Sequence, residues 1–339
     1  MAKPIKRILV TGGAGYIGSH THWQMIDAGY SVVVLDNLYS GHRWAVHAKA
    51  SFEEGNAGDI DLVRRLLRKY EIDAVVHFAG HIVVPESVSD PLKYYQNNTV
   101  VSRNLISACV QEKVGNFIFS STAAVYGMPE TMPVTEQTPT APINPYGTSK
   151  LMTEWMLRDV ALAHPFRYVA LRYFNAAGAR VDGKLGQATP EATHLIKVAC
   201  QTACGMRESI AVYGTDYATP DGTCVRDYIH VDDLAAAHIS ALRYLEGGGQ
   251  SQVMNCGYGR GFSVREVLAM VKQVSGKDFR VNESARRAGD SPILISDSSR
   301  LRRELQWQPK HQDLRIICES AYRWEKKLLE SPKPIGVAV

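Results

Sequence analysis

No stretch of this 339-residue chain approaches the roughly 20 consecutive apolar residues of a membrane span, so a transmembrane helix is not expected. The apolar start of residues 1–10, with Lys3, Lys6 and Arg7, runs straight into a glycine loop and lacks the core and cleavage site of a signal peptide. A cytoplasmic protein is expected. Cysteine is sparse and unpaired: the six (Cys109, Cys200, Cys204, Cys224, Cys256, Cys318) form no Cys-x-x-Cys motif, and several sit in apolar runs where thiols act as small hydrophobes. Cys200 and Cys204 could share a helix face, but no histidine pair accompanies them, so neither a disulfide framework nor a metal site is expected. Charge of one sign is also lacking. The 38 basic and 34 acidic residues leave +4, scattered rather than gathered into a stripe, which argues against nucleic-acid binding.

What remains is ordinary globular composition, 45% hydrophobic and 21% charged, at about twice the usual domain length. Residues 7–10, 31–35, 74–78, 116–120 and 168–172 are short β-branched runs. Segments such as 98–113 and 147–163 separate them with apolar residues at helical spacing. This alternation predicts an α/β fold, a doubly wound parallel Rossmann sheet covered on both faces. Beyond Asn175 the alternation breaks up into a glycine-rich loop, a helix near 192–205 and a Pro/Asp/Gly loop over 216–223. A smaller, irregular α/β C-terminal substrate domain is therefore expected over 176–339, after a dinucleotide-binding domain over 1–175, with 224–256 a candidate return to the first. A helix capped by Asp232 should follow the strand ending at His230, and 331–339 read as a loose tail.

The turn Thr11-Gly12-Gly13-Ala14-Gly15-Tyr16-Ile17-Gly18 joins the first strand to a helix. Such glycines let backbone N–H groups and a helix N-terminus approach a pyrophosphate. Alone the motif is common. Its weight comes from the second apolar strand, which ends at Asp36 about 20 residues on, where a carboxylate receives the adenosine ribose hydroxyls and repels a 2′-phosphate. NAD is favoured, with Arg43 and Lys49 leaving NADP open. Tyr146 and Lys150, four apart after Asn144-Pro145, project from one helix face. An ammonium beside a phenol favours the phenolate, which would make Tyr146 a base. An isolated Tyr-x-x-x-Lys is more often an exposed pair. Here it follows a cofactor loop and Ser120-Ser121-Thr122 at a strand end.

With these motifs the chain resembles the extended short-chain dehydrogenase/reductase family and, within it, the UDP-glucose 4-epimerases. The resemblance rests on Thr11 to His20, Asp36-Asn37-Leu38, His77 to Gly80, Pro91 to Asn98, Tyr126-Gly127, Pro145-Tyr146-Gly147, Arg172 to Asn175, Val225 to His230 and Arg287 to Asp290. It implies a catalytic group of Tyr146, Lys150 and Thr122. It implies NAD against Gly12, Gly15, Tyr16, Ile17, Gly18, Asp36, Asn37, Asn56, Phe78, Ala79, Gly80, Asn97, Ser120 and Tyr173, with Tyr146 and Lys150. It implies a UDP-sugar held by Thr122, Asn175, His194, Leu195, Tyr213, Arg226, Arg287, Asp290 and Leu294, the arginines on the diphosphate and Asp290 on a uridine ribose hydroxyl. Guanidinium forks suit phosphate oxygens, although either arginine alone could equally be a surface ion pair.

The chain departs from the family pattern at Ile82, which replaces a lysine near the cofactor and puts tight NAD retention in doubt, and at Asn56, which replaces an aspartate meeting the adenine. His194 replaces an asparagine, and Thr122 a serine whose hydroxyl it keeps. Leu294 stands where the family carries tyrosine in members restricted to glucose and galactose, and a small residue in members admitting N-acetyl sugars. A nucleotide-sugar dehydratase would need Asp-Glu after Thr122, but Ala123-Ala124 follow, leaving elimination without proton carriers. A non-enzymatic NAD-binding regulator would need neither Tyr146 nor Lys150. The xylose and N-acetylglucosamine series remain open as substrates. A homodimer is expected from the family and from the broad apolar surface of the second helix, with Leu151, Met152, Trp155, Met156, Val160 and Leu162.

Overall fold

A computed structural model describes residues 5–189, 192–287 and 290–330; the tail expected at 331–339 lies outside them. The strands are β1 Arg7–Thr11, β2 Ser31–Asp36, β3 Ser51–Glu54, β4 Ala74–His77, β5 Asn116–Thr122, β6 Arg167–Tyr173, β7 Asn175–Ala177, β8 Ser209–Tyr213, β9 Val225–His230, β10 Gln252–Cys256, β11 Gly261–Ser263, β12 Arg280–Ser284 and β13 Ile293–Leu294. The helices are α1 Tyr16–Asp27, α2 Ile60–Lys69, α3 Val84–Ser89, α4 Pro91–Tyr94, α5 Val101–Gln111, α6 Pro145–Ala163, α7 Leu195–Ala203, α8 Val231–Glu246, α9 Val264–Ser275, α10 Ser299–Leu305 and α11 Leu314–Glu330. A π-helical stretch, Tyr95–Val100, joins α4 to α5.

Seven strands form one parallel sheet in the order β10-β6-β5-β4-β1-β2-β3. Helices cover both faces, which is why its strands are continuous apolar runs. Within β1 the alternation is explicit. Ile8 and Val10 join an apolar cluster with Leu234 and Leu242 of α8, while Leu9 faces Leu66 of α2, Leu105 of α5 and Leu157 of α6. The chain winds outward from β1 through β2 to β3, then returns to β4 on the other side of β1. That reversal opens a crevice at the carboxyl ends of β1 and β4, where this Rossmann-type sheet binds its ligand.

The remaining strands build a smaller unit. β9 pairs with β7, β11 and β13, and β8 with β12. α7, α9 and α11 pack on them through Ile196, Val267 and Ile317. α8 and β10 go back to the large sheet, and so do Leu301, Leu305 and Trp307, a return the sequence pattern did not suggest. The cap of α8 also differs from expectation. Asp232 lies in the first turn, and the His230 ring caps the helix by accepting from the Asp232 amide at 3.1 Å. Among the described residues, no helix is long and apolar enough to cross a membrane, and all six thiols are free.

Candidate active site

A cleft of about 1570 Å³ runs from the β1–α1 turn to β13. At its cofactor end, Gly12 adopts φ +70°, and a Cβ there would lie 2.5 Å from the Ala79 amide nitrogen. A Cβ on Gly18 would lie 2.2 Å from the Gly12 carbonyl oxygen. The turn is thus packed directly on the end of β4. α1 starts at Gly15 with no side-chain cap and no acid in its first turn, so its leading amides face the cleft for an anion. Asp36 secures the turn: Oδ2 accepts from the Ala14 amide at 2.9 Å and Oδ1 from Leu38 at 2.8 Å. Burial pushes its carboxyl up from the ordinary value. This cradle fits a dinucleotide, with spare lone pairs on Asp36 for ribose hydroxyls.

Gly15, Ile17, Asn37, Asn56, Phe78, Ala79, Gly80, Asn97 and Tyr173 line the same end. So does Tyr16, whose hydroxyl donates to the Gly178 carbonyl at 2.6 Å and ties the cofactor turn to the smaller unit. The Asn56 oxygen, expected to accept from an adenine, already accepts from the Gly58 amide at 2.8 Å and keeps one lone pair. Ile82 lies on the rim, 41% exposed.

At the middle of the cleft, α6 begins with Pro145 in its first turn and Asn144 Oδ1 accepting from the Gly147 amide at 2.9 Å. This brings Tyr146 beside Thr122 at the end of β5, both on the cleft wall. One turn later, Lys150 Nζ donates to the Ser120 carbonyl at 3.0 Å. Ser120 and Lys150 lie behind the cleft wall, Lys150 beneath Gly80, where a Cβ would sit 3.4 Å from Nζ. Burial lowers the Lys150 ammonium to about 8. Burial pushes the Tyr146 phenol up, and the Thr122 hydroxyl pulls it down. The pull toward phenolate expected from Lys150 is not seen in the protein alone, where burial and Thr122 set the phenol's shift. Asn98, which sequence reasoning gave no role, holds the loop after β4. Its Oδ1 accepts from the His81 amide at 2.8 Å, and its Nδ2 donates to the His81 carbonyl at 3.0 Å and to Ser149 Oγ at 3.1 Å.

The far end is lined by Asn175, His194, Leu195, Tyr213, Arg226, Arg287, Asp290 and Leu294. The two arginines do converge, but on Asp290: Arg287 Nε lies 3.0 Å from Oδ2 and Arg226 Nη2 lies 3.7 Å from Oδ1. Arg287 also covers the Tyr213 ring at 4.7 Å. His194 Nδ1 shares a hydrogen bond of 2.8 Å with Gln187 Nε2, and burial together with nearby Lys197 lowers its pKa.

A glycine turn at the switch point of a parallel sheet, joined in one cleft to Tyr146 and Thr122 with Lys150 behind them, defines a nicotinamide-dependent enzyme of short-chain dehydrogenase type. Residues 8–257 match the NAD dependent epimerase/dehydratase family, and the chain belongs to it. It is 55% identical over 330 residues to the UDP-glucose 4-epimerase of Azospirillum brasilense, covering 97% of this chain and 95% of that one. Its fold is similar to that of UDP-glucose 4-epimerase from Brucella ovis, solved in complex with NAD, with a TM-score of 0.91 and 45% identity over 94% of this chain and 97% of the other. The UDP-Glc/GlcNAc 4-epimerase of Campylobacter jejuni matches with a TM-score of 0.84 and 52% identity over 95% of this chain and 99% of that one.

Proposed function

We propose that this chain is an NAD-dependent 4-epimerase of UDP-hexoses, interconverting UDP-glucose and UDP-galactose through a transient 4-keto sugar. The observation that carries the reading is the placing of Tyr146 and Thr122 together on the cleft wall, backed by Lys150 on the Ser120 carbonyl. NAD, held by the glycine turn and Asp36, would supply a reversible hydride acceptor for sugar C4 and a positive ring charge that favours a phenolate. Tyr146 takes the 4-hydroxyl proton and gives it back after the sugar has turned. Thr122 donates to the oxygen on which charge develops. Arg226 and Arg287 exchange Asp290 for the diphosphate and keep the UDP anchored, while Asp290 turns to a ribose hydroxyl. Ala123 and Ala124, which follow Thr122, offer no acid or base for loss of water.

Residues 1–175 are read as the cofactor domain and 176–339 as the substrate domain, with 224–256 read as returning to the first; β10 on β6 and α8 on the large sheet support the return, whereas β9 pairs within the smaller unit. A homodimer through α5 and α6 is part of the reading. Trp155 and Leu162 support it, being 46% and 85% exposed. A cytoplasmic location is proposed with it. UDP-N-acetylglucosamine is a second substrate candidate, favoured by Leu294 in the cleft wall and by the name of the Campylobacter jejuni relative.

The test is turnover of UDP-galactose by purified protein, with a panel of other UDP sugars alongside. Epimerisation without net NADH release is expected, and Tyr146→Phe should lose orders of magnitude in turnover while keeping its fold and NAD content. Free NADH accumulating with turnover, or near-normal turnover in Tyr146→Phe, overturns the reading.

A further inference from the structure

Three successive turns of α6 address three successive residues of β5. Tyr146 stands with Thr122 on the cleft wall, Lys150 meets the Ser120 carbonyl, and Glu154 Oε1 accepts from Ser121 Oγ at 2.5 Å. The first two contacts belong to the site already described; the third lies wholly behind it. Glu154 is gripped from β6 by Arg172, with Nε 3.0 Å from Oε1 and Nη2 2.6 Å from Oε2. The two side chains are 4% and 7% exposed. Arg172 Nη1 also donates to the Tyr126 hydroxyl at 3.0 Å, its guanidinium 4.9 Å from that ring centroid. Tyr126 closes the turn that follows Thr122, and Thr122 Oγ1 caps the turn by accepting from the Ala124 amide at 3.2 Å. The Tyr126 hydroxyl in turn donates to Asn255 Oδ1 on β10 at 2.7 Å.

We propose that Glu154 and Arg172 are positioning residues for the reaction: their buried pair latches the helix carrying Tyr146 to the strand and turn carrying Thr122. The proposal rests on the reading of Tyr146 and Thr122 given above. Stability alone is a poor account of the pair. Two charges removed from water recover their desolvation only with good geometry, and apolar groups of equal volume often serve a fold as well or better. What the ions supply here is direction. A bidentate guanidinium–carboxylate contact fixes both partners in angle and distance, and each partner has one further hydrogen bond: Glu154 accepts from Ser121 and Arg172 donates to Tyr126. Those two residues flank Thr122 by one position and by four. A shift of α6 along β5 must therefore break the latch before it can separate Tyr146 from Thr122. Neither charged group lines the cleft, so their effect on turnover has to pass through that spacing.

The test uses NAD-loaded enzyme and UDP-galactose, with rates expressed per NAD-loaded site. Glu154→Asp keeps the charge but draws the carboxylate back by one methylene, and Ser121→Ala keeps the ion pair but cuts its tie to the strand. Expected are a fall in kcat of about tenfold or more for Glu154→Asp and a smaller fall for Ser121→Ala, with KM for UDP-galactose within about twofold, the signature of a misplaced acid/base. The pH profile of kcat should move to higher pH in both, because Tyr146 moves away from Thr122, which draws its phenol down. A lower melting temperature with unchanged kcat per loaded site and an unmoved pH profile overturns the proposal. If Glu154→Asp does not fold, Ser121→Ala decides by the same two readouts. Tyr146→Phe is the control: full turnover there overturns the underlying reading instead, whereas a dead Tyr146→Phe beside a normal Ser121→Ala and Glu154→Asp overturns the latch alone.

Discussion

Arg287 and Arg226 share one carboxylate, Asp290, from opposite oxygens at 3.0 and 3.7 Å. An aspartate between two guanidiniums keeps them side by side, spaced for an anion larger than itself. A diphosphate has more oxygens and more charge than a carboxylate, so it can displace Asp290 from both forks. The arginines differ in exposure, 16% for Arg226 against 48% for Arg287. The more exposed contact is the more screened. Replacement by Met should therefore weaken UDP binding at both positions, and more at Arg226. There the loss of a charged hydrogen bond, about 1.5–3 kcal/mol, corresponds to roughly ten- to a hundredfold in affinity. Calorimetric titration with UDP measures the order, and a larger loss at Arg287 would contradict it.

Gly12 and Gly29 both have positive φ, at +70° and +91°, yet their surroundings differ. A Cβ on Gly29 meets nothing within 4 Å, whereas one on Gly12 strikes the backbone of Ala79. Gly29→Ala should cost only the left-handed backbone penalty, about 1–2 kcal/mol, and leave NAD content unchanged. Gly12→Ala must push β1's turn away from β4 and should abolish NAD binding. Cofactor content of the two purified variants, set beside their melting temperatures, checks the contrast.

The parts of this molecule legible in the sequence were those written in local pattern. Strand runs, the glycine turn, Asp36 at the end of β2 and the Tyr146/Lys150 spacing all depend on residues close in the chain. The parts that were not legible depend on pairing between distant segments. Glu154 and Arg172 are charged residues that a sequence pattern assigns to solvent. They are buried only because β6 lies beside β5 under α6. A signal was present in the spacing 146, 150, 154, three turns of one stripe. Asn98 was hidden for another reason: it sits in a π-helical stretch, where the usual helical spacing does not hold. The His230 cap was missed because Asp is the commoner capping residue.

Lys150 places a cost on stability that should be visible in pH. Its ammonium has an ordinary value of 10.5 and is lowered by burial to about 8. The native state thus gives up this proton more readily than the unfolded one. Between about pH 8 and 10.5 the unfolded chain holds more protons, and stability rises with pH. Below that window the buried charge costs about 3 kcal/mol. Lys150→Met, of similar length and without charge, should raise the melting temperature of the NAD-free protein at pH 7. The gain should shrink as pH climbs from 8 to 10.5, while turnover is lost throughout. A constant or growing gain across that range would show that burial does not lower the pKa of this ammonium in the native core.

Substrate breadth turns on Leu294. It lies on the two-residue strand β13, opposite Arg226 of β9, and it packs on the cluster that includes Ala123, Val125 and Phe174 just beyond Thr122. One side of Leu294 is therefore fixed in the wall and the other lines the cleft, within the same wall as the catalytic group. Leucine is smaller than the tyrosine that the family resemblance associates with strict glucose and galactose use, and larger than the residues associated with N-acetyl sugars. Its two rotatable bonds let it yield at a cost rather than block outright. UDP-N-acetylglucosamine should accordingly turn over more slowly than UDP-glucose. Extra apolar bulk in such a pocket is worth about 1–3 kcal/mol, so the ratio of kcat/KM should be roughly ten- to two-hundredfold. Leu294→Tyr should abolish the N-acetyl reaction and spare UDP-galactose, and Leu294→Ser should narrow the gap. The kcat/KM ratio for the two sugars, measured in all three proteins, decides the matter: an unchanged ratio in Leu294→Tyr would remove this residue from the sugar.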